Sequence, residues 1–142
     1  MKKISLLVVI FIWLLCMASY CRKESENCHK GINFVNGSSK DVYIYSCIDC
    51  LDAPWEFEIP SLQGFNANGL RVKPNEKNTT GLWSRYCYED AVTQGRVVVY
   101  VFDAEILETI PRDTIIKYRM VLKTIYPTID EMQASDWTIT YL

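Results

Sequence analysis

The chain has 142 residues, with 15 Lys and Arg against 17 Asp and Glu, one His and six Cys. That length allows one domain of ordinary size. Its acidic, scattered charge excludes a nucleic-acid surface, which needs a basic patch, and no internal repeat or low-complexity block divides it.

The first residues read as an export signal. Lys2 and Lys3 form a short basic start, an apolar run follows from Ile4 to Leu15, and small residues close it. The run is short for a membrane span, which takes about 20 apolar residues; counted on through Tyr20 it nears that length, so an uncleaved anchor is the minor alternative. Two cleavage modes compete. Signal peptidase can cut after Ala18, with Cys16 and Ala18 in the small-residue positions. The favoured mode ends at Cys21, which becomes acylated (palmitate) just past the apolar core, although Tyr20 departs from the small residue such sites prefer. Residues 1–20 are then the signal peptide, and 21–27 a short tether of which Arg22 to Asn27 reach about 20 Å. The chain from Cys21 on is acidic, since losing Lys2 and Lys3 leaves 13 basic against 17 acidic side chains, a balance of −4, and residues 28–142 form its domain.

Past the tether the pattern is strands and turns. Ile32 to Val35 and Val42 to Cys47 are rich in β-branched and aromatic residues and flank "NGSSKD", which predicts a hairpin. Trp55 to Ile59 alternates apolar with acidic, the period of a half-buried strand. A loop punctuated by Pro60, Gly64 and Gly69 leads to a strand at Leu70 to Val72, and "KPNEKNTTG" precedes another at Leu82 to Tyr88. Arg96 to Phe102, "RVVVYVF", is the most apolar segment and is expected to be central, covered on both faces. Ile115 to Lys123 reads as a further strand, and "WTITYL" as the last. Two short helical turns are expected, one capped by Asp103 over "AEILET", the other with Thr128 and Glu131 as a capping box. The fold expected is all-β: a single antiparallel β-sandwich, Ig-like or related, with one or two short helical turns.

The stretches "CHKGINFVNGSSKDVYIY", "VYVFDAEILETIP", "YRMVLK" and "WTITYL" together resemble a family of small predicted lipoproteins from gut Bacteroidales. The resemblance covers nearly the whole chain past the signal, and "VFDAEILE" and "WTITY" are its most specific parts. It implies export, a lipidated cysteine and a β-rich domain, and it carries no activity with it. In similar sequences cysteines matching Cys28 and Cys87 usually appear, while the C-x-x-C region varies. Lipoproteins of that group bound for the cell surface often carry a charged signal after the lipidated cysteine, and Arg22 to Glu26 looks like a weak version of it. The resemblance thus favours a lipid-anchored, surface-exposed place on the outer membrane over a periplasmic or secreted one. Asp113, Thr114 and Ile115 are similar to the O-glycosylation triplet of the same phylum, which makes Thr114 a candidate modification site.

Setting aside the signal and Cys21 leaves Cys28, Cys47, Cys50 and Cys87. Four cysteines in an exported chain usually pair, with three possible connectivities; Cys28 with Cys87 and Cys47 with Cys50 is favoured. Strand alternation puts residues 47 and 50 on opposite faces, so they pair only if "CIDCLDAP" turns; free thiols are the alternative. A redox centre at Cys47 and Cys50 lacks the following helix, since Pro54 and a strand pattern come next, and Asp49 and Asp52 raise a nearby thiol's pKa. A zinc site drawing on Cys28, His29 or Cys87 lacks a second close-spaced ligand pair.

Hydrolytic chemistry finds little support. His29 is the only histidine, and no G-x-S-x-G, H-E-x-x-H or glycine-rich phosphate loop occurs. Glu56 and Glu58 read as a solvated strand face opposite Trp55 and Phe57, and Asp103 with Glu105 as a helix cap. Trp55, Trp83, Tyr86 and Tyr88 border loops and form the candidate ligand platform, since exposed rings stack on sugars or pack a partner.

The expectation is a non-enzymatic structural or interaction module at the cell envelope, without cofactor or metal. Its partners would be the membrane, through its N-terminal lipid, and a protein or glycan. The alternative is a glycan- or small-ligand-binding surface protein.

Overall fold

The computed structural model describes residue 25 and residues 27–48 and 70–142. Seven strands run in the order β1 (Gly31–Asn36), β2 (Val42–Ile48), β3 (Arg71–Val72), β4 (Lys77–Trp83), β5 (Val97–Asp103), β6 (Lys123–Ile125) and β7 (Thr138–Tyr141). Four short helices accompany them among the described residues: α1 (Tyr88–Ala91), α2 (Ala104–Thr109), α3 (Arg112–Tyr118) and α4 (Ile129–Ala134). The fold is β-rich, with a three-stranded sheet ordered β4-β1-β7 and a four-stranded sheet ordered β3-β2-β5-β6. None of these helices is long and apolar enough to cross a membrane. The signal, Cys21, Cys50 and the expected strand Trp55 to Ile59 lie outside the described residues.

The alternation of β1 puts Ile32 and Phe34 inward while Gly31, Asn33 and Val35 stay half-buried on the other face. Val42 and Ile44 of β2, Val97, Val99 and Val101 of β5, and Ile139 of β7 join the same apolar cluster. One buried layer is therefore shared by both sheets. Every residue of β5 is buried, because its other face, with Val98, Tyr100 and Phe102, packs against Ala104, Leu107 and Ile115 of α2 and α3. The apolar run "RVVVYVF" is central and covered on both sides, as its composition requires.

The expected hairpin between the first two strands does not form. Both strands exist, but they belong to different sheets. Their inward faces meet across the apolar layer rather than side by side, and the turn between them is fixed by Asn36. This asparagine is wholly buried. Its Nδ2 donates to the carbonyls of Lys40 at 2.7 Å and Val72 at 3.0 Å, and its Oδ1 accepts from the N–H and hydroxyl of Ser38. The backbone of Asn36 also pairs with Asn75 and Glu76. The turn at Lys73 to Glu76, with Pro74 followed by Asn75 at φ 61°, is a tight reversal suited to that pair. Two sheet-to-sheet turns are thus fastened to each other through one side chain.

Three further expectations are corrected. Ile115 to Lys123 is not a strand: it begins in α3, whose Ile115 is buried against the four-stranded sheet, and reaches β6 only at Lys123. Pro111 starts that helix with φ already set, and Arg119 ends it at φ 49°. Leu82 to Tyr88 leaves the sheet at Ser84, whose hydroxyl accepts the N–H of Tyr86, and enters α1 at Tyr88. The strands are not all antiparallel, since β1 and β7 run parallel with Phe34 opposite Ile139; the long excursion through the second sheet lets the chain return in the same direction.

The helix caps follow the sequence. Asp103 accepts the N–H of Glu105 at 2.9 Å to cap α2, and Thr128 and Glu131 form both bonds of the capping box at α4.

Candidate functional site

A disulfide joins Cys28 to Cys87, with Cα atoms 4.9 Å apart. It fixes the segment before β1 against the start of α1 and aligns the residues that follow each cysteine. The backbone N–H of His29 donates to Glu89 at 2.9 Å, and its Nδ1 lies 2.5 Å from the same carboxylate. Burial works against the ionised form of Glu89, but the hydrogen bonds from the His29 side chain and backbone outweigh it and hold the carboxyl below its ordinary range. The His29 ring stacks on Trp137, with centroids 4.2 Å apart. The Tyr88 ring lies 6.0 Å from Trp137, tilted by 35°.

From this stack an open groove of about 430 Å³ crosses the outer face of the three-stranded sheet. His29, Gly31 and Asn33 form its floor, Thr79, Thr80 and Trp83 one wall, and Asp136 and Trp137 the other. Its shape follows from the strands. The pairing of β1 with β4 is irregular between Ile32 and Phe34, whose partners are Leu82 and Asn78, so Thr79 to Gly81 bulge out opposite Asn33 alone. The Asn78 side chain accepts the N–H groups of Thr80 and Gly81 and fixes the bulge. Gly31 stands directly opposite Trp83.

The far wall carries a strained turn. Asp136 and Trp137 both adopt positive φ, at 51° and 52°. They close α4 as a Schellman cap: the N–H of Trp137 bonds the carbonyl of Met132, and that of Asp136 the carbonyl of Gln133. Glycine is the usual residue at the position of Asp136, because a side chain there costs about 1 kcal/mol.

Of the expected platform, Trp83 and Tyr86 are exposed, at 60% and 64%. Tyr88 is not part of it: at 1% exposure it belongs to the core, and its hydroxyl donates to the Leu82 carbonyl. Trp55 lies outside the described residues, as do Glu56 and Glu58. Cys47 is disulfide-bonded. Thr114 sits in the first turn of α3, half-buried beside the buried Ile115. His29 and a carboxylate do converge, yet the neighbouring sulfurs of Cys28 and Cys87 are joined to each other, so neither offers a thiol nucleophile there. Among the described residues no group of three His, Cys, Asp or Glu gathers as a metal centre.

A second concave region, lined by Lys40, Asp41, Arg71, Asp103 and Glu108, is ionic. Lys40 pairs with Asp103 at 2.8 Å, and Arg71 bridges Asp41 and Glu108, each at 2.9 Å. The Lys40 ammonium holds the Asp103 carboxyl below its ordinary range, against the opposing effect of burial. These charges satisfy one another, tying α2 to the turns at β2 and β3.

Sequence reasoning singled out Trp83 but missed Gly31, Asn33, Thr79, Thr80, Asp136 and Trp137 as one site. The available signals were a glycine at a strand position and an Asp-Trp pair where a helix stops. No protein-family model, curated protein or solved structure matches the chain.

Proposed function

We propose that the protein is an exported lipoprotein, anchored through acylated Cys21 in the outer membrane and displayed at the surface, where its domain is a non-enzymatic interaction module. The observation that carries this reading is the buried Cys28–Cys87 bridge. Disulfides persist in exported chains, and this one lies a few residues behind the proposed anchor, so it makes a short tether end on a rigid body. The shared apolar layer supports the further reading of the two sheets as an open sandwich of Ig-like or related kind. A second reading, a surface protein that binds a glycan or small ligand, is favoured by the exposed Trp83 on the groove.

Intact mass of the native protein before and after thiol alkylation tests the proposal. The expected result is an acyl mass on a chain starting at Cys21, with no free thiol, and release from the membrane fraction in Cys21→Ala. Unmodified Cys21 on a chain starting at Ser19 overturns it. The same spectrum reads any glycan at Thr114.

A further inference from the structure

We propose that the groove beside Trp83 binds a neutral saccharide, one pyranose ring lying on the indole with its hydroxyls toward Asn33, Thr79, Thr80 and Asp136. The inference rests on the second reading above and assigns it a site.

Three independent features of the groove point to a ligand of this chemistry. The first is Gly31. Positive φ among the described glycines occurs at Gly95, so Gly31 is not a glycine for the sake of a left-handed backbone. A strand glycine is found beside bulges and where a ligand or another backbone comes close, and Gly31 is placed for both, next to the β4 bulge and on the lining of the groove. Gly31 pairs directly with Trp83 and brings no side chain of its own to the groove they both line.

The second is Asp136. It occupies a position where glycine is more stable, and its exposed side chain lines the groove. Aspartate tolerates this conformation better than most residues, and here it places a carboxylate on the groove wall. Carboxylates accept paired hydrogen bonds from vicinal hydroxyls.

The third is the distribution of aromatic surface. Trp137 is 5% exposed and one face is covered by His29, so Trp83 offers the open ring. A single platform suits the flat C–H face of a sugar, whereas quaternary ammonium ligands are held in a cage of several rings. The hydroxyls of Thr79 and Thr80 and the amide of Asn33 are neutral donors and acceptors, and Asp136 repels anions. The volume is at the small end of ligand sites, enough for one or two sugar rings.

The test uses the native protein in a detergent without a sugar headgroup, with maltose, cellobiose, lactose and mannobiose as probes. Saturation-transfer NMR reports contact, and tryptophan fluorescence titration reports affinity. At least one disaccharide is expected to bind, with affinity lowered roughly tenfold in Trp83→Ala and largely retained in Trp83→Phe. Asp136→Gly is expected to lose binding while melting at a higher temperature, which separates loss of the site from loss of the fold. Failure of all four disaccharides, binding unchanged by Trp83→Ala and Asp136→Gly, or displacement of the sugar by tetramethylammonium each overturns the proposal. None of these outcomes touches the acyl mass at Cys21, so the lipoprotein reading stands or falls separately.

Discussion

The side-chain amide of Asn36 donates to the backbone carbonyl of Val72, 36 residues away, at 3.0 Å. The same amide group holds the carbonyl of Lys40, so one buried side chain closes both turns that carry the chain between the sheets. Asn36→Asp keeps the shape but replaces the Nδ2 group that donates both bonds with one carboxylate oxygen facing two carbonyl oxygens. The expected cost is about 3 kcal/mol at neutral pH, read by urea denaturation. Part of it returns on acidification, when the protonated carboxyl donates one of the two bonds.

The Cys28–Cys87 bridge spans 59 residues of sequence. Restricting an unfolded loop of that length contributes about 4 kcal/mol. Cys28→Ser with Cys87→Ser is expected to lower the unfolding free energy measured by urea denaturation by that amount. Loosening of His29 from Trp137 follows and is visible as a change in tryptophan emission.

Asp136→Gly is expected to stabilise the protein by about 1 kcal/mol, because glycine adopts positive φ without the steric cost of a β-carbon. Calorimetry should show Tm rising by roughly 4 °C. A fall in Tm would mean that the carboxylate makes a stabilising contact larger than the strain.

Acid stability should depend on Glu89 and Asp103. Both carboxyls are held below their ordinary range in the folded protein, Glu89 because hydrogen bonds from His29 outweigh its burial and Asp103 chiefly by its hydrogen bond from Lys40. A lowered folded pKa means that the unfolded chain binds more protons across that window. Their contribution is therefore complete above the ordinary carboxylate pKa and is lost as pH falls through the folded value. Thermal melts across the acid range should show this decline, and Glu89→Gln should flatten it.

How much was legible in the sequence differs between the site and the fold. Trp83 was visible as an aromatic at a strand end, but Tyr88, five residues on, was indistinguishable from it. What separates them is that the chain leaves the sheet at Ser84 and turns Tyr88 into the core. The groove was not legible because its walls come from residues 79–83 and 136–137, brought together by the parallel pairing of β1 with β7 and the bulge in β4.

The sequence by itself determined the local elements: the caps at Asp103 and Thr128, the central β5 and the terminal strand β7, each encoded within a few residues by capping chemistry or hydrophobic period. It also narrowed four cysteines to a favoured pairing that included Cys28 with Cys87. Only the tertiary structure decided which sheet each strand joined and that Ile115 to Tyr118 form part of a helix. A run of β-branched residues satisfies a buried strand and a buried helix face equally well. The choice falls to which apolar surface is left uncovered, and here that surface was the outer face of the four-stranded sheet.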